Sequence, residues 1–174
     1  MALVNVALAA SGASFSASST YSIYAAANAF DANDGTYWRT PNSAGETWLR
    51  TDLGQVRRIV AWRILLTTAN GTPSYKIQSS DNDSDWTDRA DGSNDPLDSG
   101  VVNLASAVEA RYWRMLTPGQ GGYATRVATS EYRIDDAYSA SGIKSLAGVA
   151  QASVKSINGL AQAAVKSVAG VANS

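Results

Sequence analysis

Up to about residue 135, polar and apolar residues alternate in short runs. Examples are 59–66, 74–79 and 111–116, which are rich in β-branched and aromatic side chains. A period of two residues is typical of strands with one buried face. Turn-forming clusters such as Asn33-Asp34-Gly35 and Asp91-Gly92-Ser93-Asn94 separate the runs. No long helical pattern precedes residue 139, so the sequence predicts an all-β sandwich or barrel.

The pattern changes near residue 136. All 5 tryptophans and all 8 tyrosines occur at or before Tyr138, and no aromatic or acidic residue follows it. The remaining segment repeats itself every 11 residues, with Lys144, Lys155 and Lys166 in register. We therefore predict two parts, a β-domain at 1–136 and a tail of repeats at 137–174.

The tail carries apolar residues in a 3-4-4 spacing, at Ile143, Leu146, Ala150, Val154, Ile157, Ala161, Val165, Val168 and Ala172. This hendecad spacing predicts a helix with a slight right-handed supercoil. One glycine in each repeat lowers the helix propensity but allows another backbone to approach closely. We expect the tail to become ordered by self-association, with a trimer as the expected oligomer, or by docking on a partner. The alternative is a flexible tail.

Composition and charge favour binding over catalysis. Among the 174 residues there is neither cysteine nor histidine, and the net charge is −1. Disulfides and thiolate metal sites are therefore excluded, and the commonest general base is missing. We expect no nucleic-acid partner, because no basic field is present. No apolar run approaches the ~20 residues that cross a bilayer, and the apolar start lacks the basic region of a signal peptide.

Charged residues near two predicted strands have structural interpretations. Asp52-Leu53-Gly54 is expected to end a strand at a turn. Arg111 and Arg114 flank Trp113, and we expect one of them to pair with Asp52. The acidic residues at 81–98 lie among Asn, Ser and Gly, which favours solvated turns over the facing carboxylates of a glycosidase. We therefore expect no enzymatic activity.

Six motifs follow one another along the chain: Asn5-Val6-Ala7, Ala29 to Trp38, Trp48 to Gly54, Tyr75 to Asp81 before Trp86, Ala110 to Arg114, and Ser130 to Ile134. In this order they resemble the discoidin family, also called coagulation factor type C domains. Bacterial galactose-binding-type carbohydrate modules share that fold. The resemblance implies a jelly-roll β-sandwich that binds a ligand without catalysis. The chain departs from the family in its spread-out Asp31 to Gly35 segment and in having no terminal disulfide.

The resemblance also implies that the ligand site lies on loops at one end of the sandwich. The corresponding segments are 16–24, 38–42, 67–74 and 118–126. Aromatic faces and planar donors, which suit sugars, are supplied there by Tyr21, Tyr24, Arg39, Asn70, Tyr123 and Arg126. Trp38 is expected to anchor the core instead. Because galactose-binding members often use a histidine, the identity of the sugar stays open.

A calcium site is the one metal site that the sequence suggests. Asp31, Asn33, Asp34 and Thr36 supply hard oxygen donors at close spacing, and Ca²⁺ binds six to eight such oxygens. The resemblance implies that the loop holds a structural Ca²⁺ together with a glutamate of the last strand, which would be Glu131. The alternative is an Asx-type turn without metal.

The leading hypothesis for function is a module that binds a glycan or a host surface. The repeats of the tail resemble those of bacteriophage virion proteins, which implies display on the virion surface, as a capsid or tail decoration bound to other virion proteins after assembly in the bacterial cytoplasm. One alternative is a virion cement or spacer protein without a small ligand. Another is an extracellular bacterial carbohydrate-binding module. Membrane binding by the tail is disfavoured, because its apolar face is mostly Ala and Val.

Overall fold

The computed structural model describes residues 2–41, 45–67, 74–93, 97–118, 127–138, 156–157 and 160–161. The chain divides into two compact units, Met1–Ala137 and Tyr138–Ser174. Within the described residues the first unit contains strands and two short 3₁₀ helices but no α-helix. None of these helices is long and apolar enough to cross a membrane.

The first unit has eight described strands: β1 Ala2–Asn5, β2 Ser14–Ala17, β3 Trp38–Arg39, β4 Thr47–Leu66, β5 Ser74–Ser80, β6 Thr87–Ser93, β7 Val102–Thr117 and β8 Ala128–Tyr138. The 3₁₀ helices span Ala9–Ser11 and Ala26–Ala29. The strand order is β1-β8-β4-β7-β5-β6, with β2 paired to β4 and β3 paired to β8. The prediction of an all-β sandwich is confirmed.

The long strand β4 changes its pairing at its middle. Its register with β7 shifts between Asp52 and Arg57, and Gly54 there has a φ of 74°. A Cβ at Gly54 would lie 3.3 Å from the carbonyl oxygen of Gly12, so glycine suits this position for two reasons. The prediction that Asp52-Leu53-Gly54 ends a strand is wrong, because pairing with β7 resumes at Arg57.

The first and last residues of β4 lie at one end of the sandwich. The Ser18 amide donates to the carbonyl of Trp48, and the indole of Trp38 donates to the carbonyl of Ser19. Trp38 is in turn paired with Thr129 of β8, which is opposite Leu66. We call this end, where β4 starts and finishes and where β3 meets β8, the loop end.

The core lies between the strands and is rich in aromatic side chains. From Thr47 to Leu53, every second residue of β4 is buried, which is the alternation that the sequence predicts. The largest fully buried side chains include Trp38, Trp113, Tyr75 and Tyr132. Burying each such ring removes about 150–250 Å² from water, so these rings dominate the stability of the unit.

One predicted ion pair is present in the sandwich. Arg111 donates from Nε and Nη2 to the two carboxylate oxygens of Asp52, each at 2.8 Å. Asp52 also accepts the Gly54 amide at 2.8 Å. Arg114 instead donates to the Gln78 amide oxygen and lies 4.2 Å from the Trp86 ring centroid. The expectation that one of the two arginines pairs with Asp52 is confirmed.

The second unit is described at Tyr138, where β8 ends, and at four further residues. These four residues form two short strands, β9 Ser156–Ile157 and β10 Leu160–Ala161, which pair antiparallel with Leu160 opposite Ile157. At these residues the structure has strand where the repeats predict helix. β-branched Ile157 and the recurring glycine both lower helix propensity. The predictions for the rest of the tail fall outside the described residues.

Candidate functional site

The two residues of strand β3 differ in burial. Trp38 is fully buried, and its Nε1 donates to the Ser19 carbonyl at 3.0 Å. The neighbouring Arg39 is half-buried. Its carbonyl accepts the Tyr21 amide at 2.8 Å, and its amide donates to the Tyr24 carbonyl at 3.3 Å. The segment that carries the two tyrosines is therefore fastened to β3 by backbone hydrogen bonds.

Three tyrosines and Arg39 form a continuous stack at the loop end. The Arg39 guanidinium carbon lies 4.6 Å from the Tyr21 ring centroid and 5.5 Å from that of Tyr24. The Tyr21 and Tyr24 rings are nearly parallel, with centroids 6.4 Å apart. Tyr24 stacks on Tyr37 at 4.6 Å. We call Tyr21, Tyr24, Tyr37 and Arg39 the tyrosine–arginine cluster.

The cluster combines flat apolar faces with polar groups. Tyr21 is 45% exposed, so part of its ring is open to solvent. A hydrogen bond with Tyr24 raises the pKa of the Tyr37 phenol, while Arg39 opposes the rise. Tyr37 therefore stays protonated at neutral pH. A cation above an aromatic face is attracted by the ring quadrupole, which holds the Arg39 guanidinium in place.

The structure brings together three of the predicted ligand residues, Tyr21, Tyr24 and Arg39. Sequence reasoning missed Tyr37. The alternation around Trp38 is the signal for it, because residues on either side of a buried strand residue point away from the core. The other predicted ligand residues lie outside the described residues: Asn70, Tyr123 and Arg126.

The described residues that border the undescribed segments meet at the loop end. The Thr40 amide donates to the Val127 carbonyl at 3.0 Å, and the Val127 amide donates to Thr40 Oγ1 at 3.1 Å. The Thr67 amide donates to the Ala128 carbonyl at 3.0 Å. Thr40, Thr67 and Val127 therefore lie together beside β3.

The loop before β3 gathers oxygen atoms around the hydroxyl of Thr36. Thr36 Oγ1 lies 2.6 Å from Asp31 Oδ2, 2.9 Å from the carbonyl oxygen of Asn33 and 3.4 Å from that of Asn28. A hydroxyl has one proton to donate, so it satisfies one of these three acceptors, and the Asn33 carbonyl oxygen also accepts the Thr36 amide at 3.0 Å. An excess of converging lone pairs is the arrangement that a hard cation satisfies.

These donors fit calcium in type, although they differ in part from the predicted set. Asp31 and Thr36 contribute side-chain oxygens, whereas Asn33 contributes its backbone carbonyl oxygen. The Asn33 side-chain oxygen accepts the Gly35 amide at 3.0 Å, as in an Asx turn. In the described part of the chain, no three acidic side chains form a metal-binding group. Calcium would therefore depend on hydroxyl and carbonyl oxygens together with Asp31.

Glu131, the other predicted metal ligand, is paired with an arginine. Its side chain is 10% exposed and forms a salt bridge with Arg63. Arg63 also donates to both carboxylate oxygens of Asp98, at 2.9 and 2.7 Å. Burial raises the pKa of Glu131; Arg63 opposes this rise and nearby Asp34 adds to it. The positive charge of Arg63 therefore partly offsets the effect of burial and of Asp34 on Glu131.

Acidic residues of the 81–98 region are also ion-paired. Asp83 pairs with Arg50, Asp88 with Lys76, and Asp98 with Arg63. The Lys76 and Gln78 side chains donate to Asp88 and lower its pKa. The pKa of Asp98 is lowered in the same way by Arg63, so Asp88 and Asp98 differ from the proton-donating acid of a glycosidase, whose pKa is raised.

The architecture is that of a discoidin-like β-sandwich, and the sequence profile of the F5/8 type C domain matches residues 14–131. The chain belongs to this family. The prediction of a discoidin-like domain is confirmed.

Three solved structures show the same fold. Chitosan-binding module 1 of a chitosanase/glucanase from Paenibacillus sp. IK-5 is 22% identical, with a TM-score of 0.64, and the match covers 75% of this chain and 98% of the module. The family 32 carbohydrate-binding module of NanJ from C. perfringens, in complex with galactose, is 22% identical, with a TM-score of 0.62 over 77% and 98% of the two chains. The module CpGH89CBM32-5 from Clostridium perfringens, in complex with GalNAc-β-1,3-galactose, is 14% identical, with a TM-score of 0.62 over 76% and 99%. A comparison with curated proteins gave no match.

Proposed function

We propose that this chain is a non-catalytic carbohydrate-binding module that holds a saccharide at the tyrosine–arginine cluster. The observation that carries this proposal is the stack of Arg39 on Tyr21 and Tyr24, which backbone hydrogen bonds fasten to β3 at the loop end. The named ligands of the structural neighbours support it, since those modules bind chitosan, galactose and a GalNAc-galactose disaccharide.

The chemistry of the cluster suits a sugar. A pyranose ring has an apolar face, which packs against an exposed aromatic ring such as that of Tyr21. Its hydroxyls need planar donors and acceptors around the edge, which the Tyr37 phenol and the Arg39 guanidinium supply. We propose that Asn70, Tyr123 and Arg126 add contacts from the segments that adjoin Thr67 and Val127.

Binding to a panel of immobilised oligosaccharides tests this proposal. The panel contains galactose, N-acetylgalactosamine, glucosamine and uronic acid oligomers. We expect binding to at least one of them, and Tyr21→Ala to weaken it about tenfold, or ~1.4 kcal/mol. Tyr112→Ala is the matched control, because Tyr112 contacts Arg111 and pairs with Asp52 and Ser80, away from the cluster. Failure to bind any glycan, or an equal loss in both variants, contradicts the proposal.

We also propose a structural calcium ion in the loop before β3. Asp31 and Thr36, with the carbonyls of Asn28 and Asn33, would hold it. Asp34 and Glu131 would add negative charge nearby, as the effect of Asp34 on the pKa of Glu131 suggests. A bound cation would supply stability by holding the loop closed, since a ligand that binds only the folded state stabilises it. Calcium titration followed by calorimetry tests the proposal.

A separate proposal, based on the repeats, concerns how the module is attached. Lys144, Lys155 and Lys166 recur in register, as expected of a segment that self-associates or docks on virion proteins. We propose that the tail displays many copies of the module on a virion surface, so that weak glycan binding gains avidity. A cement protein without a small ligand and an extracellular module are the alternatives. Light scattering of the chain with and without residues 139–174 tests the self-association: two monomers would contradict it.

A further inference from the structure

We infer that the tyrosine–arginine cluster selects a saccharide that carries a carboxylate, and that Arg39 is the residue that determines this specificity. The inference rests on the proposed function of the same site and goes beyond it by naming the charge of the ligand. Its starting observation is that Arg39, unlike four other arginines of the sandwich, forms no salt bridge in the described part of the chain.

Four other arginines are neutralised by their own chain. Each forms a salt bridge with at least one carboxylate: Arg50 with Asp83, Arg63 with Asp98 and Glu131, Arg111 with Asp52, and Arg133 with Asp135. In the part of the chain that the structure describes, Arg39 has no such partner. Its guanidinium faces the rings of Tyr21 and Tyr24, which attract a cation but do not neutralise it.

A side-chain hydrogen bond links Arg39 to Tyr37, but one of the Arg39 donors lacks an acceptor. The Nε of Arg39 is enclosed and has no hydrogen-bond partner. A buried donor without an acceptor is unfavourable, more so when it belongs to a charged group. An acceptor on a ligand can bind the remaining guanidinium donors and so compensate the charge.

Several loop segments of the sequence contain no acid that could do so. Segments 42–44, 68–73 and 119–126 contain neither Asp nor Glu, and the last one adds Arg126. The segment 16–24, which carries Tyr21 and Tyr24, also has no acidic residue. Glu46, near the start of β4, interacts electrostatically with Arg114. Arg126 is therefore the one charged residue of these four segments, although the whole chain has a net charge of −1.

A sugar carboxylate is complementary to this arrangement. Guanidinium and carboxylate groups form paired, charge-assisted hydrogen bonds, which are stronger than those of neutral partners. A partly enclosed position strengthens the attraction further, because less water screens it. A neutral sugar leaves the charge of Arg39 without a counter-ion, and a cationic glucosamine oligomer meets repulsion.

Matched oligosaccharides that differ in charge test the inference. Calorimetric titrations of the full chain use galacturonic, glucuronic and mannuronic acid trimers, each beside its neutral hexose trimer, with glucosamine trimers as the cationic member. We expect at least one acid trimer to bind about tenfold or more tightly than its neutral counterpart. The ratio should fall as salt is raised, because ions screen partly exposed charges.

Variants assign the preference to Arg39. Arg39→Gln should bring the ratio of acid to neutral affinity close to one, and Arg39→Lys should keep part of it. Arg58→Gln is the control, since Arg58 is exposed on β4 beside Glu109; it removes the same charge and should leave the ratio unchanged. The Arg39→Lys variant keeps the test decisive if the glutamine variant fails to fold.

The outcomes separate the inference from the proposed function. Neutral trimers that bind as well as acid ones, or better, overturn the carboxylate preference and leave a carbohydrate-binding module in place. Preference for the acid that survives in Arg39→Gln overturns the role of Arg39. If no member of the panel binds, the proposed function fails and the inference fails with it.

Discussion

Trp38 and Arg39 are neighbours in the chain, yet they belong to regions with different tasks. Trp38 is fully buried in the core, while Arg39 lies on the other side of β3 against Tyr21 and Tyr24. Successive strand residues face opposite sides, so one short strand joins the buried core of the sandwich to the candidate ligand site.

The two regions are held together by different interactions. The core is stabilised by the burial of apolar rings, which is strong and non-directional. The cluster is held by ring stacking, a cation above two rings and backbone hydrogen bonds to β3. Because the cluster buries less, changes there should alter binding more than folding.

The largest expected effect on stability comes from a substitution in the core. Trp38→Ala leaves a cavity among buried residues and should lower the free energy of unfolding by about 3–5 kcal/mol. Tyr37→Ala, next to it on the outer side, should cost less than about 1 kcal/mol. Urea unfolding followed by tryptophan fluorescence measures both. Equal losses in the two variants would show that the cluster is part of the folding core.

A change in the loop that leads into β3 should have an intermediate effect. At 100 times its dissociation constant, Ca²⁺ should raise the free energy of unfolding by about 2.7 kcal/mol. Thr36→Val removes the hydroxyl on which the oxygens converge and should abolish that gain, with little effect on the metal-free protein. Differential scanning calorimetry with calcium and with chelator measures both. A gain that persists in the variant would place the ion elsewhere.

A variant of Asp52 tests how much the Asp52–Arg111 pair stabilises the bend of β4, away from the loop end. The bidentate hydrogen bond from Arg111 lowers the pKa of Asp52 below its ordinary value of 3.8. A carboxyl whose pKa is lower when folded stabilises the protein above the unfolded value, and the contribution is lost as pH falls through the folded value. Asp52→Asn should therefore cost about 1–2 kcal/mol at pH 7.

The same variant should be less sensitive to acid. Between pH 5 and about 2, its free energy of unfolding should fall less steeply than that of the wild type, because one of the responsible carboxyls is gone. Urea unfolding across this pH range measures the slope. Glycan binding should be unchanged at pH 7. A parallel acid slope would contradict the role of the Asp52–Arg111 pair, and lost binding would contradict the separation of the two ends.

Much of the fold could be predicted from the sequence. The alternation in 59–66 and 111–116 and the order of six motifs led to the discoidin-like sandwich, and the Arg111–Asp52 pair was among the expected contacts. The continuation of β4 past Gly54 was not predicted, because it depends on long-range pairing with β7. A local turn signal cannot reveal where a distant strand resumes its hydrogen bonds.

The candidate site could be predicted only in part. Tyr21, Tyr24 and Arg39 were identified by their chemistry in loop segments, and backbone hydrogen bonds bring them together. Tyr37 was missed because its stacking on Tyr24 is a tertiary contact. The pairing of Glu131 with Arg63 was also not visible, since the partners belong to adjacent strands whose register only the folded sheet defines.

The most direct test of the central claim is an NMR titration of the ¹⁵N-labelled chain with the oligosaccharide that binds best. We predict that the largest shift changes fall on the amides of Tyr21, Tyr24, Tyr37 and Arg39, and that Arg57, Arg58 and Glu109 stay unchanged. Shifts centred on those last three residues, or no shifts at a saturating concentration of sugar, would contradict a glycan site at the tyrosine–arginine cluster.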